Sequence, residues 1–153
     1  MLALQLVLGG IMSGMKAALF YPTWPDMNGA FIPAILFDAS AWSVENFVHY
    51  DQTPFMSAIV HLLHRTTAYL LFIIGLWYFF TAIRQSTSLA FRRTVYVFAA
   101  LLITQLVLGI LTVINSKARI PVDLGVYHQA GALLLLAIVL YLNYLVRKGG
   151  RNK

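Results

Sequence analysis

Four apolar runs, at about 2–21, 56–82, 94–115 and 124–146, decide what this chain can fold into. Each reaches the roughly 20 residues that carry a helix across about 30 Å of hydrocarbon. Hydrocarbon supplies no water for an open backbone, so runs of this length must be helical. The sequence therefore predicts an all-α integral membrane protein, a four-transmembrane-helix bundle forming one membrane domain over residues 1–153. Composition agrees: only 10% of residues are charged, against about 25% in a soluble domain. Membrane lipid is the expected surrounding partner. No basic segment interleaved with aromatics points to nucleic acid.

Charge placement orients the spans through the positive-inside rule. Arg84, Arg92 and Arg93 flank the turn after the second span, and Arg147, Lys148, Arg151 and Lys153 follow the fourth. Both regions, and hence both termini, are expected on the cytoplasmic side. The long loop at about 22–55 holds Asp26, Asp38, Glu45 and Asp51 without a Lys or Arg, so it is expected outside. Lys117 and Arg119 in the 116–123 turn argue weakly the other way, but connectivity places that turn outside too. The chain has no Cys, which excludes disulfides, thiolate metal sites and iron–sulfur clusters. Met1 opens directly into an apolar run, so the first helix is expected to act as its own insertion signal or to continue a longer chain.

Two histidines break the apolar pattern. His64 falls about eight residues into the second span and His128 four or five into the fourth. Both helices run from outside to inside, so the two rings share a depth in the outer half of the bilayer. An imidazole in hydrocarbon must be hydrogen-bonded or coordinated. One reading is that each merely bonds a neighbouring helix. The other is that the matched pair grips one flat iron cofactor from both faces.

The neighbours sharpen these alternatives. His61 shares a helix face with His64 and reads as a supporting or interfacial residue, with ligation as the weaker alternative. Arg65 suits a propionate carboxylate, or else snorkels to the outer headgroups. Gln105, Gly109 and Thr112 form one small, polar face on the third helix, suited to a cofactor pocket or to helix–helix bonding. Gly10 and Gly14 read as a packing motif. In the outer loop, the segment Tyr21-Pro22-Thr23-Trp24-Pro25-Asp26-Met27-Asn28-Gly29 prescribes a turn-rich backbone. With Phe31, Ile32, Trp42 and Phe47 it is expected to lie on the bundle, either capping a pocket or resting at the interface.

These motifs together resemble the haem A synthase family: the Tyr21–Gly29 segment after a Gly-rich helix, His64-Arg65 with Ala68-Tyr69, Gln105-Leu106-Val107-Leu108-Gly109-Ile110-Leu111-Thr112, and His128-Gln129 with Gly131-Ala132. Family members are typically eight-helix proteins of two similar halves that oxidise the C8 methyl of haem O to the formyl group of haem A. This chain is similar to the carboxy-terminal half, because no acid lies between Asp51 and His64 where the substrate half carries a Glu. The resemblance implies His64 and His128 as axial ligands of a low-spin bis-His haem b, with Arg65 and Gln129 beside it and no catalytic residue of its own. It implies haem O and haem A as substrate and product of the full enzyme, and an oxidoreductase left incomplete by this single chain. A second four-helix half or a second copy would complete it, in a bacterial plasma (inner) membrane. The rival expectation is a stand-alone haem-binding electron carrier or haem-handling protein.

Overall fold

A computed structural model describes residues 1–85 and 88–150; Arg151 and Lys153 lie outside them. The described chain is helical: α1 Leu2–Gly14, α2 Val44–Val48, α3 Pro54–Gln85, α4 Leu89–Ile114 and α5 Val122–Gly150. Three helices are long and apolar enough to cross a membrane, Pro54–Gln85, Leu89–Ile114 and Val122–Lys148. They contain the expected runs at 56–82, 94–115 and 124–146 to within a residue and extend them by up to several residues.

The first run behaves differently. Its α-helix stops at Gly14 and covers 13 residues, a rise of about 20 Å. Lys16 then adopts a left-handed backbone (φ 52°), which ends the helix, and Ala17–Leu19 continues as a single 3-10 turn. Apolar composition runs on to residue 21 because the 3-10 turn is buried: Ala17 and Ala18 pack into the protein.

The long helices pack as a ring. α4 lies against both α3 and α5, and α1 against α3 and more thinly against α5, so α3 and α5 face each other across the diagonal. At one end of the ring, Ala82, Val95, Phe98, Leu102, Leu135 and Leu142 form a close-packed apolar layer. Gly75 lets α3 and α4 approach there, because a Cβ at this position would overlap the Leu102 side chain. In lipid such small residues favour association by allowing close packing rather than by burying surface from water.

At the other end, residues 20–53 fold over the helix ends. Asn28 and Gly29 take positive φ angles of 59° and 92°, and Met27 pairs with Ala30 as an isolated bridge. Asn28 Nδ2 donates to the Phe20 carbonyl at 2.8 Å, closing the loop on its own origin. Further along, Ser43 caps α2 through Asn46 N, and Pro54 opens α3, where a missing N–H costs nothing. Phe55 is fully buried, edge-on to Trp42 at 5.0 Å and to Phe47 at 5.9 Å. Trp42 and Phe47 thus seat the outer segment on the bundle through Phe55, whereas Phe31 (73% exposed) and Ile32 (48%) do not seat on it. Phe55→Ala should remove about 3 kcal/mol of packing and expose residues 38–52 to limited proteolysis. Unchanged cleavage would show that Phe55 does not anchor this segment.

Candidate functional site

The ring of helices brings His64 on α3 and His128 on α5 to a ring-centre distance of 6.5 Å, with planes at 81°. Both helices are apolar around these positions, so each imidazole faces the bundle interior rather than water. Four helices contribute to the cluster. α1 supplies Gln5, whose Nε2 donates to His64 Nε2 at 3.2 Å, leaving His64 as the Nδ1–H tautomer in this arrangement. α4 supplies Gln105, 8% exposed, beside Gly131 of α5, where any Cβ would collide with the amide.

Polar satisfaction is poor here. Nδ1 of His64, Nδ1 of His128, Oε1 of Gln5 and both amide atoms of Gln105 are buried without a hydrogen-bond partner among the described residues. Each such atom costs about 1–3 kcal/mol when left unmade. Native interiors pair most buried polar groups, so this concentration marks a place built for something further. No group of three or more His, Cys, Asp or Glu able to hold a bare metal ion occurs among the described residues. Two imidazoles alone suit a metal whose remaining ligands arrive with its own macrocycle.

His61 belongs to a neighbouring network. It is fully buried, accepts a hydrogen bond on Nε2 from Arg65 Nε at 2.9 Å, and stands edge-on to Tyr21 at 6.3 Å. Arg65 is 8% exposed. Its terminal nitrogens donate to the Thr23 carbonyl, to the Asp26 carbonyl at 2.6 Å and to the Pro25 carbonyl at 3.4 Å. The guanidinium therefore grips the outer loop, a placement that neither sequence alternative for Arg65 describes. Trp24 Nε1 adds a bond to Tyr69 Oη at 3.0 Å. Gln129 is exposed and donates to Ser13 Oγ at 3.2 Å, tying α5 to the end of α1.

The loop held by Arg65 is also braced internally. Thr23 Oγ1 donates to Asp26 Oδ1 at 2.7 Å and accepts from Asn28 N at 2.6 Å. The Thr23 hydroxyl first, and the Gly29 backbone N–H second, hold the exposed Asp26 carboxyl below its ordinary value of 3.8. A depressed carboxylate stabilises the fold above its unfolded value and loses that contribution as pH falls through the folded one. Loop bracing should accordingly be intact at neutral pH and weaken only below 3.8.

Gln5 and Gly9 escape a reading based on polar residues in long spans. A direct signal exists for both: Gln5-Leu6-Val7-Leu8-Gly9 recurs letter for letter as Gln105-Leu106-Val107-Leu108-Gly109.

Arg65→Lys tests the loop grip. One ammonium cannot reproduce a planar fork reaching three carbonyls and an imidazole, and a bond from a charged donor contributes about 1.5–3 kcal/mol. Amide hydrogen exchange over residues 23–29 should accelerate roughly tenfold or more by the same energies. Protection equal to that of the unsubstituted chain would show that Arg65 does not hold the loop.

Comparison with known proteins agrees with this architecture. The model of the COX15-CtaA family, described as cytochrome oxidase assembly protein, matches residues 1–140. Curated relatives include the "Heme A synthase" of Jannaschia sp. (strain CCS1), 37% identical over 145 residues that make up 95% of this chain and 35% of that protein. The "Heme A synthase" of Methylobacterium sp. (strain 4-46) is 39% identical over 88% of this chain and 35% of its own length. That of Rhizobium meliloti (strain 1021) is 34% identical over 89% and 34%. No solved structure gives a significant match. The chain spans about a third of the length of the curated relatives it matches. A family match over nearly the whole chain, with relatives 34–39% identical over most of it, shows that this protein belongs to the haem A synthase (cytochrome oxidase assembly) family.

Proposed function

We propose that this chain is the haem-b-binding half of a haem A synthase, held in the bacterial plasma membrane by its three long helices, with α1 and the 3-10 turn after it as a shorter fourth span that leaves both termini on the cytoplasmic side. The whole enzyme would oxidise the haem O C8 methyl to the formyl group of haem A. The 6.5 Å separation of the imidazole centres carries the reading. Imidazoles at that separation on facing helices would hold one planar iron cofactor between them. The diagonal placement of α3 and α5 leaves α1 and α4 as flanking walls, and those walls carry glycine where they meet the rings.

A haem held by His64 and His128 would supply one-electron transfer. The residues of the chain do the remaining work. His64, whose Nε2 accepts from the Gln5 amide, would hold the haem together with His128. The Arg65 grip on Thr23, Pro25 and Asp26 holds the outer loop beside His64 and limits entry of water. Arg65 also places a positive charge one residue from His64, which favours the electron-rich state of a group bound there. Methyl oxidation requires an open coordination position and proton-handling groups, so it falls to a second four-helix half or a second copy of this chain.

A stand-alone haem-binding electron carrier is the alternative. The observation favouring it is that no Asp or Glu occurs between Asp51 and His64 on the outer part of α3.

Detergent-purified chain should give a reduced-minus-oxidised spectrum with sharp bands of a bis-His b-type haem. His64→Ala and His128→Ala should each abolish the low-spin species, and His61→Ala should keep it. Loss of haem on His61→Ala alone would overturn the ligand assignment. Conversion of haem O to haem A by this chain alone would overturn its assignment as one half of the enzyme.

A further inference from the structure

The pentapeptide at 5–9 and its copy at 105–109 occupy equivalent places in the structure, though one lies on α1 and the other on α4. Each belongs to the helix flanking one imidazole. A Cβ built on Gly9 would lie 3.2 Å from His64 Cε1 and 3.8 Å from His64 Nδ1, with no other heavy atom within 4 Å. A Cβ built on Gly109 would lie 3.1 Å from His128 Cε1 and 3.5 Å from His128 Nε2. The neighbouring Gly10, and Gly14 and Gly125, meet nothing within 4 Å. The two ring-facing glycines are thus distinguished from Gly10 and Gly14, which meet open space and do not form the helix-packing contact that their spacing suggests. The glutamines four residues earlier lie on the same helix faces: the Gln5 amide reaches His64, and the Gln105 amide is buried and unpartnered beside the same pair of helices.

A metal bond fixes where an imidazole nitrogen sits but not how the ring turns about that bond. Torsion about Cβ–Cγ is broad, so the plane must be set by what the ring edge touches. Here each ring lies against the position a glycine Cβ would take, His64 against Gly9 of α1 beside its Gln5 hydrogen bond and His128 against Gly109 of α4, and the planes cross at 81°. We propose that Gly9 and Gly109 are positioning residues, a quasi-two-fold pair of docks from one repeated pentapeptide that locks the two axial imidazoles near perpendicular. The proposal rests on the haem-binding reading above and adds what sets the electronic state of that haem.

The consequence follows from ligand-field symmetry. Two parallel imidazoles split the two iron orbitals that overlap their π-systems and give a ferric low-spin signal of rhombic shape. Crossed imidazoles leave those orbitals nearly degenerate and give a highly anisotropic signal with one large g-value. An added methyl 3.1–3.2 Å from a ring carbon is tighter than ordinary contact, so the ring must turn or shift. Replacing Gly by Ala in a helix interior does not weaken the helix itself, which keeps the change local.

Electron paramagnetic resonance of the ferric full chain, with haem content measured alongside, tests this. The unsubstituted chain should show the highly anisotropic signal. Gly9→Ala and Gly109→Ala should each move it toward the rhombic form, and Gly10→Ala should leave it in place. Loss of haem in Gly9→Ala and Gly109→Ala but not in Gly10→Ala also supports the docks, because the added methyls meet ring atoms first. A rhombic signal in the unsubstituted chain overturns the proposal, as does an unchanged signal in both ring-facing variants or an equal shift in Gly10→Ala. Absence of any low-spin haem in the unsubstituted chain overturns the haem reading and this inference with it. A sharp bis-His spectrum that ignores Gly9 and Gly109 overturns this inference alone.

Discussion

An imidazole inside an apolar bundle has to find a partner, and this bundle brings two of them together. His64 and His128 come from helices on opposite corners of the ring, separated by little more than the thickness of one ligand. Their Nδ1 atoms, the Gln5 amide oxygen and both amide atoms of Gln105 have no hydrogen-bond partner among the described residues. Leaving that many buried polar atoms unmet is expensive in a medium without water. The apolar layer at the far end of the bundle supplies the rigidity against which these groups are held.

The outer loop makes sense in the same frame. Its backbone is turned by Asn28 and Gly29, braced by Thr23 and Asp26, and pinned to α3 by Arg65. Arg65 is buried with neutral carbonyls for partners. A cation so placed contributes both grip and field: it fixes the loop beside His64 and raises the local positive potential. Both effects act at the outer edge of the imidazole pair, away from the apolar layer.

Much of this was legible in the residues, and the exceptions have physical causes. Length and hydropathy located α3, α4 and α5 because a long apolar run in lipid has no alternative to helix. The same measure overran α1, since the break at Lys16 is a backbone conformation in a run whose side chains remain apolar and buried. His64 and His128 stood out as polar residues in apolar spans. The direction of the Arg65 side chain did not, because its partners are backbone carbonyls some forty residues away, which carry no side-chain signature. Gln129 drew notice as the neighbour of His128, but adjacent residues on a helix point to different faces, and it bonds Ser13 instead. Gly9 was hidden by glycine's usual role in packing, although the repeat of its pentapeptide marks it.

Family membership rests on the match to relatives, and the proposed haem site on the spacing of two rings. The shared region is about a third of those relatives. Near-infrared magnetic circular dichroism of the ferric chain tests the central claim most directly, because its charge-transfer band identifies the axial ligand pair. The account predicts a bis-imidazole band, lost when either His64 or His128 is replaced. A high-spin spectrum, or a band belonging to any other ligand pair, would contradict it.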